Sequence, residues 1–272
     1  MKKYPIVLAI SGTDPSGGAG QQADIKAISA TGGYAACAVT AVVVQNTCGV
    51  RDVFPVPPEI ISAQIAAVFD DIGADAVKIG MLNSSEVILA VRDSLRHYGA
   101  RNIVLDPVMV ATSGDRLIEE SAVNSLMSEL VPLARVITPN VPEAEILSGM
   151  KISSQSDLPE VARKLSCGGR VSVMMKAGHL NDEKLTDIFY NAEEDRCIEL
   201  RSRRVHTRNT HGTGCTLSSA LASYLARGYA LDDAAAAAKD YIARAIESGA
   251  EYEIGRGHGP VDHFWNFRGK GF

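Results

Sequence analysis

Short apolar runs alternate with amphipathic segments of helix length along nearly the whole chain. This alternation predicts an α/β fold with a mostly parallel central sheet flanked by helices on both faces. The predicted strands are residues 4–10, 38–45, 76–80, 102–106, 135–138 and 171–176, and the predicted helices are 20–30, 58–72, 85–98, 119–130, 158–165, 216–227 and 232–248. Residues 185–190 and 197–205 flank the polar stretch 191–196 and predict a hairpin.

No repeat, low-complexity tract or Pro/Ser-rich linker interrupts this alternation, so residues 1–272 are predicted to form one domain. A chain of 272 residues with 46% hydrophobic content can bury one large core. Its net charge of −5 argues against the basic footprint that nucleic-acid binding needs. The apolar runs are too short to cross a bilayer, so no membrane partner is expected.

The cysteines indicate a reducing compartment. Their number is odd and no two form a C-x-x-C pair, which argues against a disulfide framework or a zinc site. They are Cys37, Cys48, Cys167, Cys197 and Cys215. The N-terminal residues lack a long apolar stretch followed by a small-residue cleavage site, so no secretion signal is expected and a cytoplasmic location is predicted.

A glycine-rich loop at residues 209–216 runs directly into a predicted helix. Gly212 and Gly214 bracket Thr213 and allow the backbone to approach a ligand closely, and a helix that starts near Cys215 directs unpaired N–H groups to the same place. The loop therefore predicts an anion-binding pocket with a thiol at its mouth. A single G-x-G is by itself more often an ordinary helix start, so other segments must support this interpretation.

Polar or glycine-rich segments follow six of the predicted strands. In open α/β sheets ligands bind beyond the carboxyl ends of the strands, so these segments are candidates for one common site. They are residues 11–20, 45–47, 80–82, 106–109, 138–143 and 176–179. Six such segments, together with the 209–216 loop, are difficult to explain by turn formation alone.

Taken together, these segments resemble the hydroxymethylpyrimidine/phosphomethylpyrimidine kinase family of thiamine biosynthesis, within the ribokinase-like superfamily. The motifs that carry the resemblance are AISGTDPSGGAG (9–20), VKIGML (77–82), DPVM (106–109), TPNVPEAE (138–145) and NTHGTGCT (209–216). The resemblance extends over essentially the whole chain. It implies a ribokinase-like fold, ATP as phosphoryl donor, Mg²⁺, and 4-amino-5-hydroxymethyl-2-methylpyrimidine as acceptor, commonly followed by its monophosphate. It also implies a homodimer.

The resemblance makes the loop of Gly212, Thr213, Gly214 and Cys215 the catalytic element. No G-x-x-x-x-G-K-[ST] motif is present to hold phosphates, and Cys215 stands where sugar kinases of the superfamily carry an aspartate. A thiol at a helix N-terminus near cations is expected to have a lowered pKa, so its thiolate is a candidate base. The alternative is that Cys215 only shapes the pocket and the alcohol loses its proton late, to a phosphate oxygen. His211 is a weaker candidate base and is more often a structural group in such a loop.

For the nucleotide and metal the resemblance implies Asn140, Thr138, Asp106, Lys176 and, as a magnesium ligand through water, Glu143. Magnesium keeps much of its hydration shell, which suits indirect ligation. An alternative remains open, since Asn140 before a helix and Glu143 in its first turn are also favoured by helix capping alone. Two roles likewise remain open for Asp106, which lies either close to the metal or at a helix cap.

For the acceptor pocket the resemblance implies Gln45, Gly12, Ala19, Asp24, Met81 and Val108, with Cys215. The glutamine amide offers a donor and an acceptor in one plane, which matches the edge of an aminopyrimidine. Met81 and Val108 would supply apolar faces for the ring, although ordinary core packing explains them equally well without the resemblance.

Two further interpretations remain open. A pyridoxal or pyridoxine kinase of the same cysteine-containing branch also accepts a hydroxymethyl group on an aromatic ring. A non-catalytic pyrimidine-binding regulator would be favoured by a broken glycine loop or a missing Asn-x-x-Glu pattern, and both are intact. A group of arginines at positions 201, 203, 204 and 208 either attracts ATP or forms the solvated face of the hairpin.

Overall fold

The computed structural model describes residues 3–109 and 118–268. The strands are β1 (Ile6–Ser11), β2 (Tyr34–Val39), β3 (Ala41–Asn46), β4 (Gly49–Pro55), β5 (Ala76–Ile79), β6 (Ile103–Leu105), β7 (Val136–Ile137), β8 (Ser172–Met175), β9 (Lys184–Asn191) and β10 (Arg196–Arg203). The α-helices are α1 (Gly20–Ala30), α2 (Pro58–Asp71), α3 (Ser85–His97), α4 (Glu120–Ser125), α5 (Val141–Ser148), α6 (Leu158–Leu165), α7 (Thr213–Ala226) and α8 (Leu231–Gly249).

The central sheet has the strand order β10-β9-β8-β7-β6-β5-β1-β2. Within this sheet, the neighbouring strands β2, β1, β5, β6, β7 and β8 are all parallel to one another. Strand β9 pairs antiparallel with both β8 and β10. The predicted mostly parallel sheet and the predicted terminal hairpin are therefore both confirmed. Because the parallel strands all end at one edge of the sheet, the segments that follow them meet there.

Helices cover both faces of the sheet, as predicted, and each face has its own hydrophobic core. The alternation of side chains along β1 shows the division, since Leu8 and Ile10 pack into one core and Val7 and Ala9 into the other. The first core contains apolar side chains of α2, α3 and α6, and the second contains those of α1, α7 and α8. Among the described residues, no helix combines the length and apolar content that a membrane crossing requires.

Residues 38–45, predicted as one strand, form parts of two strands. The chain leaves the central sheet at Thr40, whose hydroxyl donates to the Met81 carbonyl (2.7 Å) and whose carbonyl accepts the Val56 amide. Beyond Thr40, β3 pairs with β4 in a separate two-stranded sheet. The run 38–44 hid this break, because its one polar residue, Thr40, also favours a strand. Strand β4 was missed because Arg51 and Asp52 interrupt its short apolar pattern.

Three helical regions differ from the prediction. The predicted helix 119–130 is α-helical only in α4 and continues as a π-helical turn (Leu126–Leu130) and a 3₁₀ turn (Val131–Leu133). Helix α5 was not among the predicted helices; three residues separate it from the end of β7, so its N-terminus lies at the carboxyl edge of the sheet. Helix α7 begins at Thr213, three residues earlier than predicted, so the glycine loop forms its first turn.

Candidate active site

A cavity of about 560 Å³ lies at the carboxyl ends of the parallel strands. Most residues predicted for the site contribute to its wall, although they are distributed over the length of the sequence. These are Gly12, Ala19, Gln45, Met81, Asp106, Val108, Asn140, Glu143, Lys176, Gly212, Thr213, Gly214 and Cys215. The structure thus brings acceptor, nucleotide and glycine-loop candidates into one site.

The N-terminus of α7 opens into this cavity. Gly212 is its N-cap and has a left-handed backbone, with φ of 76°. A Cβ atom there would lie 2.8 Å from the carbonyl carbon of Gly18, so the glycine permits both the conformation and the close contact of two loops. The amides of Gly214 and Cys215 belong to the first helical turn and have no carbonyl partner within the helix. The geometry is that of an anion-binding helix N-terminus.

An ion pair in the cavity wall lies beside this helix N-terminus. Lys176 Nζ is 2.9 Å from Asp106 Oδ1, and a Cβ atom on Gly214 would lie 3.2 Å from that ammonium and 3.3 Å from Asp106 Oδ2. Burial alone would raise the pKa of Asp106, but the ammonium groups of Lys176 and Lys78 lower it below its usual range. Burial alone would lower the pKa of Lys176, but Asp106 and Glu143 raise it. Both groups are therefore charged at neutral pH.

Asn140 and Glu143 form a capping box at the start of α5. The Asn140 side chain accepts the Glu143 amide (2.9 Å), and the Glu143 carboxylate accepts the Asn140 amide (2.8 Å). The capping interpretation is thereby confirmed, while the magnesium role stays a prediction. Burial raises the pKa of Glu143 to about 7 despite the nearby charge of Lys176. Because this pKa lies near neutrality, a nearby cation would shift the Glu143 carboxyl group from partly protonated to ionised.

Cys215 contributes its side chain to the cavity, but the expected lowering of its pKa is wrong. Burial raises the pKa of the thiol to about 11. The charge of Lys78 and the Gly20 amide act in the opposite direction, and the carboxylates of Asp24 and Asp106 add to the increase. The sequence indicated the helix N-terminus but neither the burial nor the two carboxylates. In this structure Cys215 is a neutral thiol at neutral pH.

Two predicted contacts are corrected, because Asp24 and Thr138 lie behind the cavity wall. Asp24 is fully buried and pairs with Lys78 (2.7 Å). Its carboxylate also accepts the hydroxyls of Ser11 (2.6 Å) and Ser219 (2.7 Å). Thr138 is fully buried and donates to Asp106 Oδ1 (2.8 Å). Asp24 and Thr138 thus hold residues of the cavity wall in place and do not form the wall themselves.

The acceptor candidates occupy the part of the cavity next to the two-stranded sheet. The Gln45 amide donates to the Thr13 carbonyl over 3.4 Å, a long hydrogen bond that leaves most of its capacity available. The Thr13 hydroxyl in turn accepts the amide of Val43 (3.0 Å), which attaches the loop after β1 to β3. A Cβ atom on Gly12 would lie 3.1 Å from the Met81 sulfur. A flat ring therefore has an apolar floor and a planar amide within the same space.

His211 has the structural role that the sequence favoured. Its Nε2 lies 2.7 Å from Asp14 Oδ2, and the same carboxylate oxygen accepts the amides of Gly18 (3.1 Å) and Ala19 (2.7 Å). Burial would raise the pKa of Asp14, but the hydrogen bonds from His211 and Ser16 lower it to about 2. The pair connects the loop after β1 to the glycine loop, and this contact joins two walls of the cavity.

Comparison with known proteins agrees with this geometry. The family model described as phosphomethylpyrimidine kinase matches residues 14–262. The chain belongs to this family. The hydroxymethylpyrimidine/phosphomethylpyrimidine kinase of Rhizobium meliloti is 48% identical over 260 residues, which cover 95% of this chain and 97% of that protein. The resemblance found in the sequence motifs is confirmed, and the chain is a phosphotransferase.

Solved structures confirm the ribokinase-like fold of the kinase. The phosphomethylpyrimidine kinase of Clostridium difficile 630 is 43% identical, with a TM-score of 0.78 over 90% of this chain and 100% of that chain. The pyridoxal kinase of Staphylococcus aureus in complex with AMP-PCP and pyridoxal is 32% identical, with a TM-score of 0.87 over 98% of this chain and 96% of that chain. The pyridoxal kinase thus has the higher TM-score, and the phosphomethylpyrimidine kinase has the higher sequence identity.

The apolar end of the kinase cavity was not predicted from the sequence. Leu185 of β9 and three residues of α8, Ile242, Ala243 and Ile246, line it there. The spacing of Ile242 and Ile246 places both on one helix face, but a stripe facing a cavity has the same sequence pattern as one facing the core. A second ion pair, Lys239 with Asp187 (2.6 Å), lies in the same wall.

The arginine group of the kinase divides between the surface and the cavity wall. Arg201 and Arg208 pair with exposed glutamates on the surface. Arg203 and Arg204 line the cavity. Arg204 also donates to the carbonyls of Gly178 (3.2 Å) and Leu180, so it braces the loop after β8. Only the spatial arrangement separates these roles, because all four side chains look alike in sequence.

Proposed function

We propose that this kinase transfers the γ-phosphoryl group of ATP to the hydroxymethyl oxygen of 4-amino-5-hydroxymethyl-2-methylpyrimidine and then phosphorylates the monophosphate. The observation that carries the proposal is one cavity in which the N-terminus of α7 and the Lys176–Asp106 pair lie beside the Gln45 pocket. Phosphoryl transfer needs donors around the transferring group and a positioned alcohol. Both are supplied here by residues far apart in sequence, from Gln45 to Gly214, which the fold gathers beyond the carboxyl ends of the strands.

We propose that ATP occupies the end of the cavity lined by Leu185, Ile242 and Ile246. Apolar side chains on two elements suit the faces of a purine base. The related S. aureus pyridoxal kinase has been solved with the ATP analogue AMP-PCP, which supports the same donor here. From that end the phosphates would extend toward Lys176 and the amides of Gly214 and Cys215.

We propose that Mg²⁺ joins the phosphates to Glu143 through water. The described residues contain no cluster of three or more His, Cys, Asp or Glu side chains able to hold a metal. Most ligands would therefore be phosphate oxygens and water, which is the coordination that Mg²⁺ prefers. The Glu143 carboxyl group fits because a nearby cation would favour its ionised form against the effect of burial. The metal would neutralise negative charge on the phosphates.

We propose that Cys215 shapes the pocket and does not act as a base. With a pKa of about 11, almost none of the thiol is ionised at neutral pH. In a loose transition state the alcohol keeps its proton until late, and a phosphate oxygen can accept it. The backbone amides and Lys176 then carry the electrostatic stabilisation.

Pyridoxal phosphorylation is the second candidate, because the S. aureus pyridoxal kinase superimposes well over nearly the whole chain. Higher identity to the pyrimidine kinases favours the pyrimidine. Initial rates of ATP consumption with hydroxymethylpyrimidine, its monophosphate, pyridoxal and pyridoxine distinguish the two. We expect the highest kcat/KM with the pyrimidines, and a higher value with pyridoxal would reverse the assignment.

The Gln45 amide is expected to recognise the pyrimidine edge. Gln45→Leu should raise KM for hydroxymethylpyrimidine by roughly 10- to 100-fold, since an unpaired buried polar edge costs about 1–3 kcal/mol. The KM for ATP should change less than about twofold. Arg51→Leu, an exposed change on the neighbouring strand β4, is the control. An unchanged pyrimidine KM in Gln45→Leu would exclude this contact.

We also propose that the kinase is a cytoplasmic homodimer. Val42, Val44 and Phe54 are exposed on the two-stranded sheet, and Val42 is the register partner of Phe54, so the three side chains share one face. A second copy of the chain could cover this face, and sedimentation equilibrium would show whether the chain dimerises. All five cysteines are free thiols, which supports a reducing compartment.

A further inference from the structure

The chain beyond α8 returns across the molecule and contacts the tip of the hairpin between β3 and β4. Within residues 257–263, termed here the return segment, the His258 amide donates to the Thr47 carbonyl (2.8 Å). The Gly257 amide donates to the Thr47 hydroxyl oxygen (3.2 Å). Thr47 follows Gln45 by two residues. The return segment therefore contacts the hairpin immediately beside the proposed acceptor residue.

The other end of the return segment contacts the glycine loop and the first turn of α7. The Gly259 carbonyl accepts the His211 amide (3.0 Å), and His211 and Pro260 form an isolated parallel bridge. His263 Nε2 lies 3.0 Å from the Thr216 hydroxyl. One short segment is thus bonded both to the acceptor hairpin and to the anion-binding helix N-terminus. It lines no part of the cavity itself.

Contact between the return segment and the hairpin is backbone against backbone. A Cβ atom on Gly257 would lie 2.5 Å from the carbonyl carbon of Thr47 and 2.9 Å from Cys48 Cα. Real Cβ atoms essentially never approach another atom closer than 3.0 Å, and no side-chain rotation can relieve a backbone clash. Any side chain at position 257 would therefore force the hairpin tip away from the return segment.

We propose that the return segment is a positioning element that sets the separation between the acceptor hairpin and the anion-binding turn of α7, with Gly257 as its critical residue. Phosphoryl transfer requires the acceptor oxygen in line with the γ-phosphate, and a displacement of about 1 Å can cost roughly 10²-fold in rate. The hairpin carries Gln45 and α7 carries the phosphate-binding amides. The return segment fixes one relative to the other without touching either ligand.

The test is the variant Gly257→Ala. Its rates are measured while the concentration of hydroxymethylpyrimidine or of ATP is varied in turn, at a temperature well below the melting temperature of the variant. We expect kcat/KM for the pyrimidine to fall roughly 10- to 100-fold, through KM because Gln45 is displaced and through kcat because the acceptor oxygen leaves the in-line position, while KM for ATP stays within about twofold. Arg256→Ala, whose exposed side chain precedes the return segment, should match wild type. An unaffected pyrimidine KM, or an equal rise in KM for the pyrimidine and for ATP, would overturn the proposal.

A second variant keeps the test decisive should Gly257→Ala not fold. Thr47→Ala retains the backbone carbonyl but removes the hydroxyl that accepts the Gly257 amide. It should raise the pyrimidine KM by about two- to tenfold, since one neutral hydrogen bond is worth roughly 0.5–1.5 kcal/mol. A folded Thr47→Ala with wild-type KM would refute the positioning role.

The inference rests on the proposed acceptor, so the wild-type rates are measured first. If wild-type kinase does not consume hydroxymethylpyrimidine, the proposed function is wrong, and the variants are then compared with whichever of the four acceptors is phosphorylated. If wild type is active and the variants retain their acceptor KM, only the positioning role fails.

Discussion

Two lysine–aspartate pairs of similar length have opposite surroundings in this molecule. Lys78 and Asp24 are 2.7 Å apart and both side chains are 0% exposed. Lys176 and Asp106 are 2.9 Å apart, and their side chains are 14% and 2% exposed. The first pair is enclosed between β5 and α1, whereas the second forms part of the cavity wall.

The difference lies in what remains available for a ligand. Asp24 already accepts two serine hydroxyls as well as the Lys78 ammonium, so the enclosed pair has its charges compensated internally. Lys176 faces the cavity and has Asp106 as its ion-pair partner, and a phosphate can approach its remaining N–H groups. The same residue pair therefore stabilises the fold in one place and is accessible to substrate in the other.

Breaking the enclosed pair should produce the largest effect, and that effect should be on folding. Lys78→Met leaves the Asp24 carboxylate buried without its cation and should lower the free energy of unfolding by about 3–5 kcal/mol. The double variant Lys78→Met/Asp24→Asn should regain most of that loss, because no uncompensated charge remains. Urea denaturation measures both.

The matched control is the surface pair Lys3–Asp75, in which Lys3 is 79% exposed. Lys3→Met should alter stability by less than about 1 kcal/mol, as is usual for exposed pairs. Equal losses in Lys78→Met and Lys3→Met would mean that enclosure does not distinguish the pairs.

The sequence could not separate these pairs, although it placed both lysines at strand positions near the site. Lys78 lies within a buried strand motif, but its partner is 54 residues earlier on α1, and sequence spacing does not reveal such a contact. Asp24 was expected in the acceptor pocket because the resemblance implied it. The fold itself followed from local pattern, since each parallel strand is a short apolar run between helices.

Other incorrect predictions also concern features that depend on contacts formed only in the folded chain. Strand β4 is mostly exposed and pairs only with β3 among the described strands, and Arg51 and Asp52 interrupt the pattern that Val50, Val53 and Phe54 would otherwise form. The pKa of Cys215 was predicted to be lowered by its position at the start of a helix, whereas burial, together with the carboxylates of Asp24 and Asp106, raises it. The capping box at Asn140 and Glu143 was readable because it depends on residues three apart.

Changing the accessible pair should affect catalysis more than folding. Lys176→Gln keeps a donor for Asp106 but removes the positive charge beside the anion-binding turn. We expect kcat to fall about 10²–10³-fold, the usual loss for one electrostatic contact to the transition state. The loss of unfolding free energy should be smaller than in Lys78→Met, because Asp106 still accepts the Thr138 hydroxyl.

Single-turnover rates and urea denaturation test that comparison together. Lys184→Gln, an exposed change on β9, should leave both quantities near wild type. A kcat within threefold of wild type in Lys176→Gln would show that the accessible pair, like the enclosed one, is structural.

Glu143 lies close to the accessible pair and should give a smaller, pH-dependent effect. Its pKa is raised to about 7 in the fold, above the ordinary value of 4.5. Its contribution to stability is therefore complete below about pH 4.5 and is lost as pH rises through 7. Glutamine preserves the capping box, so Glu143→Gln should become more stable than wild type above pH 7, by roughly 1–3 kcal/mol.

Thermal unfolding from pH 5 to 8.5 measures this difference, and magnesium titration of the rate tests the ligand role. The rate of Glu143→Gln should require more Mg²⁺ than wild type. Parallel melting curves across the pH range would contradict the buried, protonatable carboxyl group. An unchanged magnesium requirement would leave Glu143 as a helix cap.

Cys215 is influenced by charges of both pairs and should show the smallest effect on rate. Lys78 lowers its pKa while Asp24 and Asp106 raise it, and burial raises the value to about 11. Incoming phosphates add negative charge and would raise it further. Cys215→Ser should therefore keep kcat within about tenfold of wild type, a difference of at most about 1.4 kcal/mol in the barrier. The kcat–pH profiles of the two proteins should have the same shape between pH 6 and 9, because neither side chain ionises there. A loss of about 10²–10⁴-fold, together with a limb below pH 8.5 that disappears in Cys215→Ser, would instead identify the thiolate as the base.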